Sequence, residues 1–105
     1  MSLQVCLAQQ LTLTDINNYN SLSEQLASAG MPEVDSLQTL KDNGFQHIIN
    51  LIPDDFNEEK NQVTSLQMIF DQIAVDWNNP SLENFAEFTA LMKQYQGDKV
   101  LVIVN

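Results

Sequence analysis

The chain has 105 residues, 44% of them hydrophobic, with three Gly, three Pro and one Cys, which is the profile of one small globular domain and not of a disordered, collagenous or repeat chain. Fourteen acidic residues against four Lys and no Arg give a formal charge of −10. That balance excludes nucleic acid and anionic membrane as primary partners, because binding to such polyanions rests on Lys and Arg displacing counterions.

No apolar run approaches the roughly 18 residues needed to span a bilayer. The first 20 residues hold no basic stretch leading into an apolar core, as a secretory signal would. The sequence as written reads as soluble and cytoplasmic, and as periplasmic if Met1-Ser2-Leu3 stands in place of a removed leader. Cys6 is the only cysteine, so no internal disulfide forms and packing alone holds the fold. Without Arg, a phosphate site in this sequence relies on backbone N–H groups, Lys or another chain.

Residues 1–20 alternate Leu3, Val5, Leu7, Leu11 and Leu13 with polar residues and read as an extended N-terminal arm preceding one domain over residues 21–105. Leu22 to Ala29, stopped by Gly30-Met31-Pro32, suggests a first strand, with a helix of similar extent as the competing reading. From Pro32 the pattern changes to Val34, Leu37 and Leu40, with acidic residues first, Lys41 near the end and Gly44 beyond. This predicts a helix of about ten residues closed by glycine.

Phe45 to Ile52 is an apolar run between Gly44 and Pro53, too short for a helix, and reads as a buried parallel strand. A loop through Asn57, a helix over 58–66 and a strand over 69–75 follow. Asp76-Trp77-Asn78-Asn79-Pro80 is turn chemistry. Ser81 then caps a helix with Leu82, Phe85, Phe88, Thr89, Leu91 and Met92 on its inner face. Gly97 ends it, and Lys99 to Val104 is the most strongly β-forming segment.

Strands alternating with helices predict βαβ units, an α/β fold with a largely parallel sheet and flanking helices. No helix follows Val104, although such sheets are normally covered on both faces. The expectation is a domain lacking its C-terminal helices, or an uncovered sheet face through which a second copy or a protein partner binds.

The order of Ala29-Gly30-Met31-Pro32 before a helix, Gly44-Phe45 leading into His47-Ile48-Ile49-Asn50-Leu51, Ile73-Ala74-Val75-Asp76-Trp77-Asn78-Asn79-Pro80, and Lys99-Val100-Leu101-Val102 after the Phe85–Phe88 helix resembles the cysteine-dependent protein tyrosine and dual-specificity phosphatases. It is most similar to the small bacterial phosphatase-like family that also occurs beside β-lactamase-like hydrolase domains. The match runs over about residues 20–102.

The resemblance implies hydrolysis of phosphate monoesters through a cysteinyl-phosphate. A Cys thiolate of lowered pKa attacks phosphorus, Arg grips the phosphoryl oxygens, and an Asp from a separate loop protonates the leaving oxygen. In that family the last strand delivers His-Cys, five residues and Arg, followed by a helix. Here Ile103 and Val104 occupy the places of His and Cys, or, in a shifted register, the Cys falls just after Asn105; either way the sequence as given offers no nucleophile and no phosphate-binding residue and is expected to be inactive. Cys6 lies nearly a hundred residues from that position. The resemblance carries over only Asp76, as candidate general acid, and it lets Trp77 pack over the site mouth. Read without it, Asp76 is a solvated turn residue and Trp77 a buried aromatic beside a turn.

Other constellations favour ordinary structural roles. Asp54, Asp55, Glu58 and Glu59 match no EF-hand spacing and read as a solvated helix N-terminus. His47 has no Cys or His companions for a metal and reads as a strand residue. Met31, Met68 and Met92 read as core or rim, and Asn17-Asn18 and Asn78-Asn79 as turn formers. No cofactor or metal is expected. Two other readings remain beside an inactive phosphatase-like domain: a non-catalytic binding or self-associating module, and an unrelated acidic α/β protein sharing the same rhythm.

Overall fold

A computed structural model describes residues 12–104. The Leu3-to-Leu11 alternation and Cys6 lie outside the described residues. The strands are β1 (Asn20–Ser21), β2 (Leu26–Ala29), β3 (His47–Asn50), β4 (Ile69–Gln72) and β5 (Val100–Ile103), and the helices are α1 (Val34–Asp42), α2 (Asn57–Ser65) and α3 (Leu82–Gln94). They form one five-stranded sheet in the order β1-β2-β5-β3-β4. β2, β5, β3 and β4 run parallel, and β1 adds an antiparallel edge to β2.

β5 lies at the centre, with Ala29 and Asn50 as its neighbours at Ile103. This placement follows from Val100-Leu101-Val102-Ile103, which is buried throughout and apolar on both faces, as a central parallel strand requires. The more polar β4, Ile69-Phe70-Asp71-Gln72, takes the edge.

Each predicted helix forms close to its expected bounds. α1 ends where Gly44 takes φ +88° while its N–H donates to the Lys41 carbonyl and the Phe45 N–H to that of Leu40; glycine adopts this left-handed turn without steric cost. The Ser81 hydroxyl caps α3 by accepting from the Asn84 N–H at 3.1 Å.

The stretch before the first strand departs from the extended arm: Leu13–Asp15 is a 3-10 turn. The Thr12 N–H donates to the Asp15 carboxylate at 2.8 Å, closing the chain so that Ile16 enters the core. Within the proposed first strand, Leu22 to Gln25 form the reversal that lets β1 pair with β2.

The helices divide between the two faces. α1 and α2 bring Leu37, Leu40 and Val63 onto Ala27, Ile48, Leu101 and Ile103. α3 brings Phe88, Leu91 and Met92 onto Ile49, Val100 and Val102. Burial of each such aliphatic side chain contributes about 1.5–3 kcal/mol before entropy is subtracted.

The sheet face expected to be uncovered is therefore overlaid by α3, which touches it through Phe88, Leu91 and Met92. The inner face assigned to α3 is corrected at its first turns: Leu82 is 87% exposed and Phe85 69% exposed. Phe88, Leu91 and Met92, further along, make the contact with the sheet. Among the described residues no helix is long and apolar enough to cross a membrane.

Candidate functional site

In a parallel sheet the loops leaving the carboxyl ends of the strands gather at one edge, and ligands bind in the crevice there. In this chain that edge receives residues 51–56 after β3, residues 73–81 after β4, and Val104 after β5. The Leu51 N–H donates to the Ile103 carbonyl at 2.9 Å and the Ile73 N–H to that of Asn50 at 2.9 Å, so the three strand ends are tied together.

Asp76 stands on the loop after β4. It is exposed, its Oδ1 accepts from the Asn78 N–H at 3.0 Å, and its carbonyl accepts from the Asn79 N–H at 2.9 Å. The turn thus fixes the carboxyl group by its own backbone while leaving it open to solvent. Val75 points inward and is buried. Trp77, on the other side, is 52% exposed, so the buried-aromatic reading does not hold. Its ring lines a groove of about 270 Å³ together with Leu51, Val75, Pro80, Phe85 and Phe88.

On the other face of the same strand ends, Asn50 is wholly buried. Its Oδ1 accepts from the Ile52 N–H at 2.8 Å, and its Nδ2 donates to Glu59 Oε1 at 3.1 Å. Glu59 is thereby corrected from a solvated helix-start residue to a buried one. Burial raises its carboxyl pKa, and the hydrogen bond from Asn50 opposes that shift. Its second oxygen, Oε2, has no partner among the described residues. Asp54, Asp55 and Glu58 remain solvent-exposed, as expected.

His47 belongs to the opposite end of β3. Three residues of strand, about 10 Å, separate it from Asn50, and the structure does not bring it to Asp76. It is buried, with its Nε2 2.9 Å from Asp98 Oδ2 and its ring stacked on Tyr95 at 3.7 Å between centroids. The Tyr95 hydroxyl donates to Asp71 Oδ2 at 2.5 Å. Burial, and then the hydrogen bond and charge of Asp71, push the Tyr95 pKa up to about 12. These groups join β3 and β4 to the chain that leaves α3. Among the described residues no three acidic, His or Cys side chains gather as a metal site.

Sequence reasoning did not single out Asn50, Tyr95, Asp71 or Asp98. Asn50 alone carried a local signal, being an amide inside an apolar strand. Met68 is in the core and Met31 exposed, the core and rim places expected of them.

The fold resembles solved structures. Against a DUF442 candidate phosphatase from Shewanella putrefaciens CN-32, the TM-score is 0.81 with 36% identity over 87% of this chain and 63% of that one. Against the core catalytic domain of the PP-IP phosphatase SIW14 from S. cerevisiae, solved with citrate, it is 0.71 with 15% identity over 86% of this chain and 57% of that one. Against P. aeruginosa TpbA it is 0.65 with 17% identity over 90% and 56%. The last two, at low identity, show the fold alone. The chain spans 59–63% of the length of the Shewanella structures it matches. No family model matches it, and no curated protein matches it.

Proposed function

Because this chain is phosphatase-like, with the fold of the cysteine-dependent tyrosine and dual-specificity phosphatases, we propose that it is the scaffold of a phosphate-monoester hydrolase with Asp76 as its proton donor. One observation carries this reading: Asp76 stands on the loop that leaves β4 at the edge where β3 and the central β5 also end. In such a reaction a thiolate attacks phosphorus, the bond from phosphorus to the leaving oxygen breaks, and the acid's proton passes to that oxygen. Water then hydrolyses the cysteinyl-phosphate.

Of these roles the 105 residues supply the acid. They contain no Arg, and their one thiol, Cys6, is remote in sequence from β5, so on this reading the 105 residues alone do not turn over. The purified chain is expected to release no 4-nitrophenol from 4-nitrophenyl phosphate; steady release above blank overturns the claim of inactivity. The intact mass of the protein from its native source tells whether 11.9 kDa is the whole chain. In a longer native product that hydrolyses this ester, Asp76→Asn lowers kcat by about 10²–10⁴-fold; an unchanged kcat removes Asp76 from the mechanism.

A second reading, a non-catalytic binding or self-associating module, draws on the exposure of Trp77, Leu82 and Phe85. Sedimentation at micromolar concentration separates the two: a discrete dimer favours the module, and a monomer counts against self-association.

A further inference from the structure

We propose that Asn43 is a modification site guarded by the fold: while α1 is closed its side-chain amide stays intact, and when the last turn of α1 opens it cyclises onto Gly44 and hydrolyses to isoaspartate or aspartate, which keeps that corner from closing again. The site lies at the amino end of β3, the edge of the sheet opposite Asp76, and does not depend on the hydrolase reading above.

The chemistry needs a particular pair of residues. An asparagine is lost when the backbone nitrogen of the next residue attacks its side-chain carbonyl carbon. The new C–N bond closes a five-membered succinimide, the side-chain nitrogen leaves as ammonia with the proton of the attacking N–H, and water then opens either C–N bond of the ring. Glycine, having no Cβ, obstructs this attack least. Asn43-Gly44 is the one Asn-Gly pair in the 105 residues, and both residues are exposed to the water the second step consumes.

Geometry holds the first step off. Asn43 has ψ 14°, which sets the Gly44 nitrogen almost in line with Asn43's own amide nitrogen and away from the side of Cβ. Ring closure therefore requires a rotation about the Cα–C bond of Asn43, and the hydrogen bonds around it oppose that rotation. The Gly44 N–H donates to the Lys41 carbonyl at 3.0 Å and the Phe45 N–H to that of Leu40 at 3.1 Å. Asn43 Nδ2 donates to the Thr39 carbonyl at 2.7 Å, which fixes the amide against the end of α1. From outside, Lys99 Nζ donates to the Asn43 carbonyl at 2.8 Å and stands 4.6 Å from the centre of the Phe45 ring.

The product does not rebuild this corner. A carboxylate has no N–H to give to the Thr39 carbonyl. It adds a negative charge to a chain already carrying −10 and sets it at the carboxyl end of α1, where the helix dipole disfavours it. Isoaspartate also routes the backbone through Cβ, one carbon longer, immediately before Phe45, which is 1% exposed. Modification thus falls on opened molecules and marks them.

The test incubates the folded chain, and the same chain in concentrated urea, at one pH and temperature. Asn43 is followed by peptide mapping with fragmentation that separates aspartate from isoaspartate. Its loss is expected to be at least about tenfold slower in the folded chain. Ring closure and hydrogen exchange at the Gly44 amide both require the bond to the Lys41 carbonyl to open, so the slowing should be at least as large as that amide's exchange protection. Equal rates in the two states overturn the proposal, because the fold then guards nothing. Loss in the folded chain that outruns the exchange protection overturns it too, because the fold then promotes the reaction. The isolated isoaspartate form is expected to unfold at a lower urea concentration than the parent; coincident melts overturn the claim that the product keeps the corner open.

Discussion

The two faces of the sheet are made by the same alternation of strand residues and are sealed differently. Under α1 and α2, Leu37, Leu40, Val63, Ile48 and Leu101 are almost entirely withdrawn from water, and Ile16 enters from the 3-10 turn. Under α3 the strand residues are buried too, but the helix has no buried residue of its own, and its first turns carry Leu82 and Phe85 outward. The first face holds the fold. The second leaves apolar surface at the edge where the strands end, and this is where the groove and Asp76 lie. The fold is thus held mainly from one side of the sheet, and the other side keeps apolar surface open to solvent.

Substitution pairs can break that comparison. Leu40→Ala, in the sealed core, is expected to cost about 2–5 kcal/mol, whereas Phe85→Ala stays within about 0.5 kcal/mol; urea melts of both variants check this. Comparable losses would show that α3's open end supports the fold as much as the core does.

Asn50→Ala comes next. It removes the partner of both Glu59 Oε1 and the Ile52 N–H, and a cost of about 2–3 kcal/mol is expected for stranding buried polar groups.

Tyr95→Phe is smaller, about 1 kcal/mol at neutral pH, and carries a pH signature. Tyr95 holds its proton to about 12 against 10 for the ordinary phenol. The folded state therefore favours the neutral form, a stabilisation complete below pH 10 and lost as pH rises through 12. Melts between pH 9 and 12 should show this alkaline loss in the parent and not in the variant.

Glu59→Gln sharpens the other face. The folded state raises the Glu59 pKa, so its contribution is present below pH 4.5 and fades as pH rises through the raised value. The permanently neutral Gln should be the more stable chain at pH 7, with the difference closing toward pH 4. The reverse order would mean that the carboxylate is stabilised in place.

Much of this could be read along the chain. Gly44 and Ser81 mark helix ends through short-range chemistry, a left-handed turn and a hydroxyl cap, and both occur where the residues announce them. Asp76 could be placed after a strand because Asn78, Asn79 and Pro80 are turn formers. Glu59 and Trp77 depart from their expected places because burial is settled by tertiary partners: Asn50 hydrogen-bonds Glu59 in the interior, and Trp77 stands in the wall of an open groove. The His47–Tyr95 stack joins residues 48 apart in sequence and has no local signature at all.

The sequence by itself determined the succession of the three helices and the four parallel strands between and around them, because these depend on side-chain period, caps and turns within a few positions. Only the tertiary structure decided that β5 is inserted between β2 and β3, that α3 packs on one face alone, and that Leu51, Val75 and Phe85 meet beside Asp76. A strand such as Val100-Leu101-Val102-Ile103 is apolar on both sides, so its pattern distinguishes neither its neighbours nor which helix will cover it. That choice is made by packing the whole sheet at once.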